Sequence, residues 1–397
     1  MSAPRVLLAS RLFVPEVSAG AFRLGALAAA LARRGADVGV VTTTPPSHAP
    51  RTPDPAGVRV SRWPVLRDRG GNVRGYLQYA SFDVPLALRL LLRRFDLVVA
   101  ESPPTTALVV AAVSWLRRRP YAYYAADVWT DGVISMGAHR LVVVLMRWME
   151  RRALRGAATI LSVSEEVTGR LVALGADPAR IATVGNGIDT DVFGPDVAPA
   201  APHERYFVYT GTMSEWQQPE VFVRAFAQLA DEFPDVGLRF FGQGAVEPQL
   251  RRTAEQLAPG RVRFGGVVRP DQSAAWIRGA VAALVSIAPG IGYDFARPTK
   301  TYAAAACGTP VLFAGATTGG DLVRDAGLGE AVGFTPDAVA AAMRAMLAQE
   351  ADGTTTALRA GRASWARATV SLAAVGERAA AAVLTARRTP GGPTPPR

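Results

Sequence analysis

The 397-residue sequence predicts an α/β protein built of two doubly wound domains in tandem. Three observations predict it. Short, near-continuous apolar strands alternate with longer amphipathic segments, the pattern of parallel sheets covered on both faces. The alternation halts at 194–204, Gly-Pro-Asp-Val-Ala-Pro-Ala-Ala-Pro-His-Glu, and then restarts. Small residues follow the carboxyl ends of several strands, where doubly wound sheets bind ligands. The expected division is a first domain over 1–193 and a second over 205–370, each of ordinary domain size.

In the first domain, strands are expected at 5–10, 37–43, 97–100, 121–126, 159–163 and 181–184, with helices at 21–34, 83–94, 105–118, 140–155 and 165–174. Residues 44–75 are rich in Pro, Arg and Gly and read as a loop holding one short strand near Val58–Ser61. In the second domain, strands fall at 206–209, 238–241, 262–264, 282–287 and 311–314, and helices at 218–232, 245–257, 271–279, 298–306 and 335–349. A last helix at 371–386 is placed to cross back onto the first domain. Residues 387–397, with four prolines and two glycines, read as a disordered tail. Two domains of this kind make the cleft between them the expected ligand site.

Composition narrows the function classes. One cysteine, Cys307, rules out an intrachain disulfide framework and fits a reducing compartment. Arg5–Ser10 is strand-like, unlike a charged-then-apolar leader, and the longest apolar run, Thr106–Leu116, is well short of the roughly 20 residues that cross a bilayer. The expectation is a cytoplasmic protein, with a peripheral position on the inner face of the membrane left open. The net charge of +11 is uneven: residues 1–190 hold 24 basic and 14 acidic side chains, the remainder 20 and 19. Clusters such as Trp115-Leu-Arg-Arg-Arg119 and Met146–Arg155 mix arginine with large apolar side chains. They read either as solvated helix faces or as docking surfaces for an anionic membrane. No nucleic-acid motif accompanies the charge, and no nucleic-acid partner is expected.

Of the 44 basic residues one is a lysine, Lys300, just before an expected helix. A lysine is a compact, rotatable point charge that an arginine fork does not replace, and helix N-termini favour anions. Lys300 is thus either a surface residue kept by chance or a phosphate ligand. Around it, Tyr209-Thr-Gly-Thr-Met213 (Gly211, Thr212), Phe241-Gly-Gln-Gly-Ala245 (Gly242, Gly244), Arg297-Pro-Thr-Lys-Thr301 and Gly315-Ala-Thr-Thr-Gly-Gly320 all follow strand ends. Such loops let a ligand approach the backbone and leave helix amides free. Together they point to a nucleoside-diphosphate site.

Several segments carry a resemblance to a known family: Ala100-Glu-Ser-Pro-Pro104, Ala126-Asp-Val-Trp129, Ser162-Val-Ser-Glu165, Val184–Phe193, and Pro298-Thr-Lys-Thr-Tyr302 leading to Ala306-Cys-Gly-Thr-Pro-Val311. With these, residues 5–380 resemble the family 4 retaining glycosyltransferases of the GT-B fold, two Rossmann-like domains facing across a cleft. Among them the chain looks most like the bacterial branch that moves amino or deoxy sugars in surface-polysaccharide assembly. The resemblance implies a hexosyltransferase-type enzyme without a cofactor or a metal, its donor a nucleoside-diphosphate sugar. It implies a donor held mainly by the second domain and an acceptor sugar, glycolipid or small molecule held mainly by the first. Lys300 then matches the basic residue on the diphosphate, with Thr301 beside it and Gly20 of Ser18-Ala-Gly-Ala-Phe-Arg23 facing the diphosphate from the other domain. Asp127 stands where many relatives carry a histidine near the transferred sugar. Trp129, Asn186 and His139 fall on the acceptor side, His139 otherwise being a surface residue. Arg23 is either a second cation for phosphate or a solvated helix residue.

The chain also departs from the family. The two glutamates that relatives use to hold the sugar and the ribose correspond to Phe295 and Ala303, with Asp294 a substitute for the first. The cations expected after Gly211 are absent, so Lys300 stands without family companions unless Arg297 or Arg23 compensates. Asp189-Thr-Asp191 spells a metal signature of another fold but follows an Asn-Gly turn. His48, His139 and His203 lack ligand spacing. Three readings follow: a transferase, an epimerase sharing the architecture, and a catalytically degenerate binding subunit. For the transferase the acceptor could be lipid-linked, another phosphorylated molecule or a soluble natural product.

Overall fold

A computed structural model describes residues 3–388 apart from 17, 47–48, 50–52, 69–72, 74, 136 and 291–296. Asp294, Phe295 and His48 therefore lie outside the described residues. The chain separates into two compact units: one runs to Asn186 and resumes at Leu372, and the other spans Gly187–Ser371.

In the first unit the strands are β1 (Arg5–Ala9), β2 (Asp37–Thr43), β3 (Val58–Trp63), β4 (Leu97–Glu101), β5 (Tyr121–Ala125), β6 (Thr159–Ser162) and β7 (Ile181–Thr183). They form one parallel sheet in the order β3-β2-β1-β4-β5-β6-β7, with Ala9 beside both Val41 and Ala100 at its centre. Its helices are α1 (Ala19–Arg33), α2 (Tyr76–Leu92), α3 (Pro104–Arg117), α4 (Trp129–Ser135), α5 (Arg140–Gly156) and α6 (Glu165–Ala173). Central strands carry apolar side chains on both faces because helices cover both. One face buries Leu24, Leu27 and Leu31 of α1. The other buries Phe82 and Leu86 of α2, Val110 of α3 and Leu154 of α5.

The second unit repeats the plan. Strands β8 (Arg205–Thr210), β9 (Val236–Phe241), β10 (Val262–Phe264), β11 (Ala282–Ser286), β12 (Val311–Ala314) and β13 (Gly329–Val332) run parallel in the order β10-β9-β8-β11-β12-β13. Helices α7 (Glu220–Ala227), α8 (Glu247–Leu257), α9 (Pro270–Gly279), α10 (Thr299–Ala306), α11 (Thr317–Asp325), α12 (Pro336–Ala351), α13 (Thr354–Ala357) and α14 (Arg359–Thr369) follow. Phe207, Phe222, Phe226 and Phe240 fill the core on one face. The last helix, α15 (Leu372–Arg388), belongs to the first unit, where Val375, Ala379 and Val383 pack with the α1 leucines.

Several expectations need correction. Segment 194–204 is no free linker: Arg278 Nε donates to the Pro195 carbonyl at 2.6 Å, and Val197 and Ala201 pack on the second core. The short strand near Val58 runs to Trp63 and extends the first sheet. A further helix, α4, stands between β5 and α5, and Gly315–Gly320 is not all loop, because α11 starts at Thr317. Arg387 and Arg388, assigned to the tail, end α15, and 389–397 lie outside the described residues. No helix of the described residues is long and apolar enough to cross a membrane.

Candidate functional site

In the second unit, the carboxyl end of β8 with the loop after it, Ser273 of α9 and the start of α10 line a cavity of about 380 Å³. Gly211, Thr212, Lys300 and Ala303 line it. Lys300 is the second residue of α10, and its side chain runs beneath the β8 loop: a Cβ on Gly211 would stand 3.7 Å from its Nζ. The ammonium lies 3.7 Å from the centre of the Tyr209 ring and has no hydrogen-bond partner among the described residues. An aromatic face attracts a cation but gives it no acceptor. Burial without a counter-charge disfavours the charged form and pushes the Lys300 pKa down to about 7. One turn on from Lys300, on the same helix face, stands the apolar Ala303.

The two glycine loops are bonded to each other. The Gly211 N–H donates to the Phe241 carbonyl at 2.8 Å and the Met213 N–H to the Gln243 carbonyl at 3.0 Å, so these amides are occupied. Gly242 has φ +127 and faces the Gly211 carbonyl, and Gly244 lies as tightly against Met213. Gly242 and Gly244 let one loop press on the other and do not line the cavity. Thr301 is likewise buried away from it, and Arg297 is exposed ahead of α10. Sequence reasoning did not single out Trp216, Gln217, Ser273 and Thr299, which also line the cavity. Gln217 had a signal of sorts, following Trp216 in the loop after Gly211. Its Oε1 lies 2.9 Å from the Tyr209 hydroxyl, which fixes the ring beneath Lys300.

In the first unit, four of the expected residues gather at the carboxyl edge of the sheet. Arg23 Nη1 donates to Asn186 Oδ1 at 3.2 Å, and its guanidinium lies 5.8 Å from the Tyr124 ring. Gly20 is the second residue of α1, which Ser18 caps by accepting the Ala21 N–H at 3.1 Å. Against Gly20 stands a carboxyl that sequence reasoning did not single out: Glu101 Oε1 lies 2.8 Å from where a Cβ would be. Glu101 is buried and accepts the Ser10 hydroxyl at 2.8 Å. Burial raises its pKa, the Ser10 bond and the positive charges of Arg11 and Arg23 oppose the rise, and Asp127 adds to it. Asp127 itself is exposed at the end of β5.

Trp129 is the first residue of α4, and His139 caps α5. Glu150 of α5, fully buried, accepts the Trp129 N–H at 2.7 Å and the Thr130 N–H at 3.0 Å, and so caps α4. The Trp129 ring meets Tyr79 edge-on at 6.2 Å. His139 is exposed, and its Nδ1 accepts the Leu141 N–H as the N-cap of α5. Asp189 turns its carboxylate onto the Asp191 N–H, a local turn. Among the described residues no group of three His, Cys, Asp or Glu could hold a metal ion.

Two Rossmann-like parallel sheets in one chain are the architecture of the GT-B class of fold. Comparison with known proteins agrees. Residues 19–187 match the family described as glycosyl transferase 4-like domain, and 204–349 match glycosyl transferases group 1. A D-inositol 3-phosphate glycosyltransferase of Catenulispora acidiphila is 30% identical over 183 residues, 42% of each chain. One of Mycobacterium bovis is 27% identical over 310 residues, 72% of this chain and 61% of the relative. The chain thus spans less than two thirds of the length of these relatives. The Anabaena protein HepE, solved with UDP-glucose, superposes with a TM-score of 0.63 at 17% identity, covering 96% of this chain and 99% of that one. The chain belongs to the family 4 glycosyltransferases.

Proposed function

We propose that the protein is a retaining, metal-independent glycosyltransferase that moves a sugar from a nucleoside diphosphate to a hydroxyl of a phosphorylated acceptor. The buried Lys300 ammonium without an acceptor carries this reading. A buried unpaired charge is costly, and the cavity it faces has room for the phosphates that would relieve it. When the anomeric C–O bond breaks, negative charge grows on the departing diphosphate. A preorganised cation there stabilises the transition state without reorganising, the part a divalent ion would otherwise play. The retaining outcome rests on the family resemblance. Asp127 is assigned to the sugar or acceptor, and Gly20 and Arg23 to the phosphates. The acceptor class follows from the relatives named D-inositol 3-phosphate glycosyltransferases and from the basic first unit. A glycolipid phosphate, in polysaccharide or glycolipid assembly, is the alternative with the same chemistry.

Ala303 on the cavity wall favours a second reading, a donor site that binds without turning over. Two measurements separate the readings. Mass spectrometry of the protein with a panel of nucleotide sugars and inositol phosphates should show a new glycoside. Calorimetry with UDP and GDP should show heat. Heat without a product with any donor or phosphorylated acceptor supports the degenerate site, and no heat with any nucleoside diphosphate sinks both.

A further inference from the structure

We propose that the outward face of the α2–α3–α5 layer is a docking surface for an anionic phospholipid bilayer. Eleven of the nineteen large apolar side chains exposed among the described residues lie on these three helices, and only three lie in the whole second unit. On α5, Leu141, Leu145 and Trp148 recur at i, i+4 and i+7, so they form one stripe. On α2, Leu77, Leu88 and Leu92 line the face opposite the buried Phe82, Leu86 and Leu90. Leu92 is 76% exposed and Trp148 58%, values far from those of side chains covered by their own unit. All three helices pack on the same side of the sheet, so their stripes lie on one layer. An exposed apolar area of this extent marks an interaction surface.

The charges decide what covers it. The three helices carry two acidic residues, Asp83 and Glu150, and both point inward: Asp83 accepts the Thr106 hydroxyl at 2.7 Å, and Glu150 caps α4. Beside the stripes stand exposed Arg94, Arg118, Arg140, Arg147, Arg152 and Arg155. A second copy of the same face would set arginines against arginines. A bilayer of anionic lipids offers both things the face lacks, apolar depth and negative charge. Interfacial helices present this combination, with tryptophan at the boundary. Where α2 ends, Arg93 and Arg94 join Arg5 and Arg59 around a cavity of about 190 Å³, which would receive a lipid phosphate. Asp37 lines the same cavity and is paired with Arg59.

Sedimentation with vesicles of phosphatidylcholine and phosphatidylglycerol tests the surface. The protein should pellet with mixed vesicles at low salt, stay in solution with pure phosphatidylcholine, and be released by about 0.5 M salt. Leu92→Glu with Trp148→Glu should weaken partitioning at least ~10-fold. Arg147→Gln should weaken it ~5-fold, and Arg147→Lys should leave it intact. All these side chains are exposed, and thermal melting checks that the fold survives. The surface is independent of the sugar-transfer reading: none of the substituted side chains lines the Lys300 cavity, so UDP calorimetry should be unchanged in every variant. Failure to pellet at low salt would overturn the proposal. So would equal pelleting of the Leu92/Trp148 variant, or a concentration-dependent dimer that the same substitutions abolish without lipid.

Discussion

Lys300 weakens the fold that holds it, because its ammonium is buried without a hydrogen-bond partner among the described residues. Its pKa, about 7 in the fold against 10.5 for a free lysine, means that the unfolded chain binds a proton the folded one does not between those values. Stability therefore rises as pH climbs from 7 to 10.5, and at pH 6, where both states are charged, the full penalty is present. Lys300→Met should remove it and raise the melting temperature at pH 6 by about 5 °C or more, with little effect near pH 10. The same substitution should cut transfer at least 100- to 1000-fold. A bound diphosphate reverses the shift, so UDP binding at pH 8 should take up a proton in the wild type and none in the variant. Calorimetry in two buffers of different ionisation enthalpy reads that uptake directly. Equal melting temperatures, or turnover close to wild type, would remove Lys300 from the donor site.

Among the elements, the paired loops after β8 and β9 position the site more than any single side chain. They are joined by backbone bonds from Gly211 to Phe241 and from Met213 to Gln243, and the Tyr209 hydroxyl lies 2.7 Å from the Thr212 carbonyl. The Tyr209 ring under Lys300 is thus fixed by the loop that walls the cavity. Gly242 is where this pairing is vulnerable. At φ +127 a side chain is strained, and a Cβ would fall inside the van der Waals shell of the Gly211 carbonyl oxygen, a backbone atom that cannot swing away. Gly242→Ala should cost roughly 3 kcal/mol or more. It should also weaken UDP binding without touching a cavity-lining side chain. Urea denaturation and calorimetry check both, and an unchanged midpoint would mean that the loops can separate cheaply.

At the scale of the molecule, both sheets were legible because each strand is a short apolar run and each crossover an amphipathic helix. What stayed hidden depends on partners remote in sequence. Helix α4 forms where Glu150, some twenty residues on, accepts its first N–H groups, and no local pattern announces that. Glu101 became visible as a site candidate only when Ser10 and Gly20 were brought beside it. Lys300 was legible as a compositional exception, but the role of Gly242 and Gly244 was not, since loop-on-loop and ligand-on-loop packing need the same residue. The longest-range feature is α15, which leaves the second unit and completes the first. Val375, Ala379, Ala380 and Val383 are fully buried there, and Arg378 donates two hydrogen bonds to the Val184 carbonyl. Burying two valines alone contributes about 3–6 kcal/mol, a large share of a unit's total stability. A chain ending at Ser371 should therefore uncover Leu24, Leu27 and Leu31, bind a hydrophobic dye, and lose the urea transition of the first unit. The second unit, 187–371, keeps every strand of its sheet and should still melt cooperatively and give heat with UDP. If the shortened chain unfolds as the full one does, α15 is an appendage; if both transitions vanish together, the second unit depends on the first for its fold.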